Sequence, residues 1–206
     1  MRRLGVCHTL SILLVSSCAW AAEPQSSGGS TIDRGAYVGG GPEATAPAMR
    51  RLQEGDPAPA FSYLDAEGRW HGFRQLFARG PVLLVFGARD TELKELERVQ
   101  PVFADLGVRP VAVLDMGNGS AERYAQRLGL TCGVVSDPSR AIAELYGSLN
   151  PNTQHHAPSY FVLDVHQNVR AARYGMLPPA RQMLAASARG LGRPLPESAM
   201  SMSRRE

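Results

Sequence analysis

Pro81-Val-Leu-Leu-Val-Phe86, running on into Gly87-Ala-Arg-Asp-Thr-Glu-Leu-Lys-Glu95, is the stretch that decides the fold. The first six residues are apolar without alternation and include β-branched valines, the pattern of a strand covered on both faces. Beyond them Leu93, Leu96, Val99, Phe103 and Leu106 recur at helical spacing, with Asp90 or Thr91 placed as N-cap and Glu92 in the first turn. Pro101 predicts a kink in that helix. A buried strand turning directly into an amphipathic helix is the first half of a βα unit. Downstream the pattern gives a strand over 108–114, a helix over 120–128, a short strand over 132–135 and a helix over 139–146. A strand over 160–164, a turn at His166-Gln167-Asn168, a return strand over 169–174 and a helix over 179–191 follow. Upstream, two short strands flank Asp65-Ala66-Glu67-Gly68 as a hairpin. This alternation predicts an α/β fold, a three-layer α/β/α sandwich with a mixed central sheet.

The 206 residues exceed what one such domain needs, and the excess lies at the ends. Residues 1–22 read as a signal peptide: Arg2 and Arg3 form a charged start, Leu10-Ser-Ile-Leu-Leu-Val15 an apolar centre, and Ala19-Trp20-Ala21 a small-x-small cleavage site. The apolar centre is too short to span a bilayer. Val15-Ser16-Ser17-Cys18 also fits a bacterial lipoprotein box, so Cys18 is a lipidation candidate, and both readings stay open. Residues 23–50, in which Gly, Pro and Ser supply 12 of 28 positions, read as a disordered tether. The domain proper is expected over 51–193 and a flexible tail over 194–206. The expected location is the periplasm or envelope of a bacterium, with contact to a membrane only through a lipid anchor.

Charge excludes one class of partner. The formal net charge is +3, but without Arg2 and Arg3 the basic side chains number 20 against 19 acidic. So even a balance, with no basic run in the body, leaves no electrostatic footprint for nucleic acid. Of three cysteines, Cys7 and Cys18 fall in the leader, leaving Cys132 alone in the domain and no partner for an intramolecular disulfide. In an oxidising space a single thiol is either buried and inert or kept for an intermolecular partner, and burial is the expectation here.

Several strings in this order resemble the thioredoxin fold, specifically the redoxin group of alkyl hydroperoxide reductase/thiol-specific antioxidant peroxiredoxins and exported thioredoxin-like oxidoreductases. Gly55-Asp-Pro-Ala-Pro-Ala-Phe61 is similar to that family's opening, and Asp65-Ala66-Glu67-Gly68-Arg69 to its hairpin. Leu83-Leu-Val-Phe-Gly-Ala88 resembles the strand leading to its active site, and Ser136-Asp137-Pro138 followed by Tyr146-Gly147 another of its segments. Ala157-Pro158-Ser159 followed by Tyr160-Phe-Val-Leu-Asp164 resembles the strand it enters through a cis-proline beside the site, which would make Pro158 that proline. The resemblance implies thiol peroxidase or disulfide oxidoreductase activity, an antioxidant role in cell redox homeostasis, and a reactive thiolate at the start of the helix after the central strand. There the helix dipole and free amides lower a thiol pKa.

The corresponding stretch, 86–95, has no cysteine. Laid against a Cys-x-x-Cys motif its thiol positions are Thr91 and Lys94; laid against a peroxiredoxin pattern the peroxidatic position falls on Lys94 or Glu95. A threonine hydroxyl does not cycle through sulfenic acid, and neither lysine nor glutamate has two-electron redox chemistry. Cys132 is the candidate thiol that remains, but it opens an apolar strand with no basic neighbour in sequence. His155 and His156 are metal candidates, because a second relative of this fold, the exported copper chaperones of cytochrome oxidase assembly, carries a copper-ligating histidine near the position of His156. Its two cysteines fall on Thr91 and Glu95, so the soft ligands are missing, and the plainer reading is a polar loop with two exposed imidazoles. Arg89 beside the helix N-terminus is an anion- or peptide-binding candidate. The expectation is therefore a degenerate redoxin without a cofactor, working as a binding module for an unidentified envelope protein. The alternatives are a thiol enzyme using Cys132 with an external thiol, or a metal-binding accessory protein.

Overall fold

The computed structural model describes residues 51–64 and 69–202. The leader, the tether, Cys18 and the turn at 65–68 lie outside the described residues. Among the described residues seven strands and five α-helices follow in chain order: β1 (Ser62–Leu64), β2 (Trp70–Gly72), β3 (Val82–Phe86), α1 (Asp90–Asp105), β4 (Arg109–Leu114), α2 (Asn118–Leu128), β5 (Gly133–Ser136), α3 (Ala141–Leu145), β6 (Ser159–Leu163), β7 (Val169–Tyr174), α4 (Ala180–Gly190) and α5 (Glu197–Met202). A 3-10 helix, Phe73–Phe77, links the β1–β2 hairpin to β3.

Five strands form one sheet in the order β5-β4-β3-β6-β7. β3, β4 and β5 are parallel, whereas β6 and β7 run antiparallel to their neighbours, which makes the sheet mixed. All five residues of β3 are buried, as a central strand requires. Its alternate side chains divide between two cores. Val82, Leu84 and Phe86 pack with Phe61, Phe73, Tyr146 and Phe161 under the hairpin, the 3-10 helix and α3. Leu83 and Val85 pack against Leu96, Val99 and Phe103 of α1 and Met183 and Leu184 of α4. Period-two alternation thus lets one apolar run serve both faces. The chain ahead of the hairpin is tied down by Gly55 and Ala58 amides donating to the Val169 and Gln167 carbonyls.

Two local expectations change, at the start of α1 and in the segment after 193. The N-cap of α1 is Arg89, one residue earlier than Asp90 or Thr91, and the Glu92 carboxylate reaches back to its amide at 2.8 Å. This is the reciprocal half of a capping box; the other half is impossible because a guanidinium only donates. α1 continues through Pro101 to Asp105, with the proline supplying no amide to the Glu97 carbonyl. The segment 194–206, expected as tail, contains α5, and Ser198 Oγ donates to Asp105 Oδ2 at 2.7 Å. Among the described residues no helix is long and apolar enough to cross a membrane.

Candidate functional site

The C-terminal ends of the parallel strands, where β3 gives way to α1, are where an open α/β sheet places its chemistry. Gly87 makes this turn at a φ of +61°, and a Cβ there would lie 2.8 Å from both Ala157 C and Pro158 N. The link into β6 therefore rests directly on the approach to α1. Pro158 N thus lies against the turn into α1.

The α1 entrance itself is lined with acids that are already engaged. Arg89 is 78% exposed and its guanidinium binds Glu92 at 2.7 Å, while Asp90 accepts from the Tyr124 hydroxyl and lies 3.8 Å from Arg127. Burial pushes the Glu92 carboxyl up, but the hydrogen bonds and charge of Arg89 bring it below its ordinary value. The anion site expected around Arg89 is thus met from within the chain: two carboxylates in the first turn take the positive end of the helix. Thr91 and Lys94 are exposed. Glu95 turns away to a structural task, accepting the Ala180 amide at 3.1 Å at the start of α4.

Beside this entrance stand two carboxylate–imidazole pairs. His156 is not an exposed imidazole, as expected from sequence, but has a side chain only 3% exposed, with Nε2 3.0 Å from Asp137 Oδ2. Asp137 also accepts the Ile142 and Ala143 amides at 3.2 and 3.0 Å, holding the first turn of α3. The other His156 nitrogen, Nδ1, is buried without a partner among the described residues. His155 is exposed as expected, and its Nδ1 lies 2.6 Å from Asp115 Oδ2, whose second oxygen accepts Arg140 Nε at 2.8 Å. Burial pushes the Asp115 carboxyl up, yet the hydrogen bonds of His155 and Arg140 hold it below its ordinary value. Arg140 adopts the left-handed backbone region, φ +61°, to make this contact. The two imidazoles are thus committed to different carboxylates, and no group of three His, Cys, Asp or Glu that could hold a metal occurs among the described residues.

Asp115 and Asp137 are the residues that reading for cysteine and histidine missed. Each follows immediately on a strand or its last residue, Leu114 and Ser136, and an acid in that position of a parallel sheet is a usable signal.

Cys132 belongs elsewhere. The register aligns Gly133 with Val111 and Val111 with Leu84, so Cys132 sits level with Leu83, two strands across and roughly 10 Å short of Phe86 along the strand direction. It is 7% exposed. Burial, and after it the Glu97 carboxylate, push its thiol up to about 12. Glu97 accepts the amides of Thr131 and Cys132 at 2.8 and 3.1 Å as well as the Thr131 hydroxyl. The thiol is held neutral, the state opposite to that of a nucleophile.

The family model of the AhpC/TSA family matches residues 54–172. The chain is similar to a thiol-disulfide oxidoreductase, ResA, of Geobacillus thermodenitrificans, 28% identical over 122 residues that make up 56% of this chain and 66% of that protein. It therefore spans slightly less than two thirds of that relative's length. Among solved structures, peroxidoxin BcpB from Mycobacterium tuberculosis superposes with a TM-score of 0.62 at 17% identity, over 69% of this chain and 98% of that one. Enterococcus faecalis AhpC does so with a TM-score of 0.61 at 13% identity, over 69% and 94%. At these identities the two structures establish the thioredoxin-like fold.

Proposed function

The chain belongs to the AhpC/TSA family, a group of thiol-dependent oxidoreductases and peroxidases, and on that premise we propose that it is a degenerate member, exported to the bacterial envelope, that binds a partner there instead of turning over a thiol. A single observation carries the reading: the α1 entrance presents Thr91, Lys94 and Glu95 in place of sulfur, while the described thiol, Cys132, is buried at the opposite end of the sheet with its pKa pushed up to about 12. A peroxide or disulfide is attacked by a thiolate lone pair, and a thiol so far above neutral pH supplies almost none. What survives at the family's site is a shaped, rigid surface, with Gly87 locked on the 156–158 link and the Asp137–His156 pair beneath it. The leader motif of residues 1–22 supports export, and the Gly/Pro/Ser-rich residues 23–50 support a tether.

The test is catalytic. Mature wild-type protein and Cys132→Ser are assayed for hydrogen peroxide consumption with dithiothreitol and for insulin disulfide reduction. Both proteins are expected to match the uncatalysed rate. Turnover that disappears in Cys132→Ser overturns the proposal and makes the chain a thiol enzyme.

A further inference from the structure

At the other end of the sheet from the α1 entrance, the first residues of β4 and β5 border a cleft of about 780 Å³ between α1, the 3-10 helix and the hairpin. Its chemistry is one-sided. Arg79 and Arg109 face it together with Gln75, Gln100, Thr131 and Tyr63, and none of its described lining residues carries a carboxylate. Glu97, which reaches the edge at Thr131 and Cys132, has its carboxylate taken by their amides and the Thr131 hydroxyl.

Arg109 is where β4 begins, paired in register with Val82. Strand alternation puts it on the same face as Val111 and Val113, which belong to the core under the hairpin. A guanidinium is thereby directed toward a layer otherwise filled with aromatic and aliphatic side chains, and its Nε is buried with no hydrogen-bond partner among the described residues. Among the described residues neither Arg79 nor Arg109 forms an ion pair. A charged donor shielded from water without an acceptor is destabilising, and an oxyanion is the group that relieves it, since the guanidinium fork matches carboxylate and phosphate oxygens two at a time. Tyr63, Val108 and Pro110 also line the cleft and give the body of a ligand something to rest on. The volume greatly exceeds that of a bare ion.

We propose that this cleft binds an organic oxyanion, a molecule with a carboxylate or phosphate held by Arg109 and Arg79 and an apolar portion against Tyr63. The site is separate from the α1 entrance, and its occupancy does not depend on whether the family's thiol chemistry has been lost. Cys132 borders the cleft as a neutral wall residue with no covalent step assigned to it.

Isothermal titration of the full-length chain with phenyl phosphate, benzoate and the neutral benzamide tests the assignment. A short peptide with a free C-terminal carboxylate, and its C-terminal amide, distinguish a chain end from a small molecule as the source of the oxyanion. Binding of at least one acid, weakened by salt and absent for its neutral counterpart, is expected. Arg109→Gln should weaken it about tenfold or more and Arg79→Gln about threefold. Arg79 is exposed, so its variant keeps the test decisive if Arg109→Gln fails to fold. Arg89→Gln, at the α1 entrance, should leave binding unchanged. No oxyanion-dependent binding, binding indifferent to both cleft arginines, or loss of binding in Arg89→Gln would each overturn the proposal.

Discussion

The two ends of the central sheet carry opposite electrostatic solutions. At the C-terminal end of β3, β4 and β5 the charged groups satisfy one another: Arg89 with Glu92, Asp115 with His155 and Arg140, Asp137 with His156. At the N-terminal end of β4 and β5, Arg79 and Arg109 face a cleft without a carboxylate in its described wall, next to a thiol kept neutral. In the AhpC/TSA fold the first end is the reactive one, because an open helix N-terminus favours a thiolate. In this chain no cysteine stands at 86–95, and internal carboxylates occupy the same donors. The comparison teaches that, on the proposed reading, the loss of a reaction would show in the pairing of the charges left behind as well as in the missing nucleophile.

The largest effect that sharpens this comparison comes from Asp137. Asp137→Ala leaves the buried His156 ring with neither nitrogen partnered among the described residues and removes the acceptor for the Ile142 and Ala143 amides. Breaking a buried, hydrogen-bonded pair from one side costs about 3–5 kcal/mol, measured as the loss of unfolding free energy in urea. A loss under about 1 kcal/mol, the size expected for an exposed pair, would mean that the end is held by packing instead.

Gly87→Ala acts next. The new methyl would stand 2.8 Å from backbone atoms of Ala157 and Pro158 at a φ of +61°. Left-handed strain and displacement of a packed backbone together amount to about 2–4 kcal/mol. Thermal and urea denaturation should both report it. A stability change within experimental error would show that the 156–158 link moves freely against the α1 entrance, so that this surface is not rigid.

Much of this architecture is legible in the sequence because period and position agree. The unbroken apolar run 81–86 had to be a central strand, and the Leu93–Leu96–Val99–Phe103 spacing a helix lying on it; the structure buries every one of these residues. The missing thiol at 86–95 was equally plain. What escaped the sequence depends on partners distant along the chain. His156 looked like its exposed neighbour His155 because only the fold brings Asp137, 19 residues away, against it. Arg89 became an N-cap although arginine is a poor one, because Glu92 supplies both the amide acceptor and the ion pair. The cleft at Arg79 and Arg109 joins the 3-10 helix to the start of β4 across α1, a juxtaposition that periodicity does not encode.

The smallest effect concerns the thiol itself. Cys132 is raised from the ordinary 9.0 to about 12, first by burial and then by Glu97. In the unfolded chain the thiol ionises at its ordinary value, so between these limits the native state holds a proton the unfolded state has released. Its stabilising contribution is therefore complete below about pH 9 and declines as pH rises toward 12. Glu97→Gln removes the charge but leaves a side-chain oxygen to accept from the Thr131 and Cys132 amides. Burial, the larger cause, is untouched. The thiol should then ionise below 12 yet still above its ordinary value, and the midpoint of the pH dependence of iodoacetamide alkylation in the native protein should move down by that part alone. The decline of urea stability on the alkaline side should become shallower in parallel. An unmoved midpoint would leave burial as the entire cause and remove Glu97 from the account of why this end of the sheet is chemically quiet; a midpoint near neutral pH would instead make Cys132 a usable nucleophile one substitution away from activity.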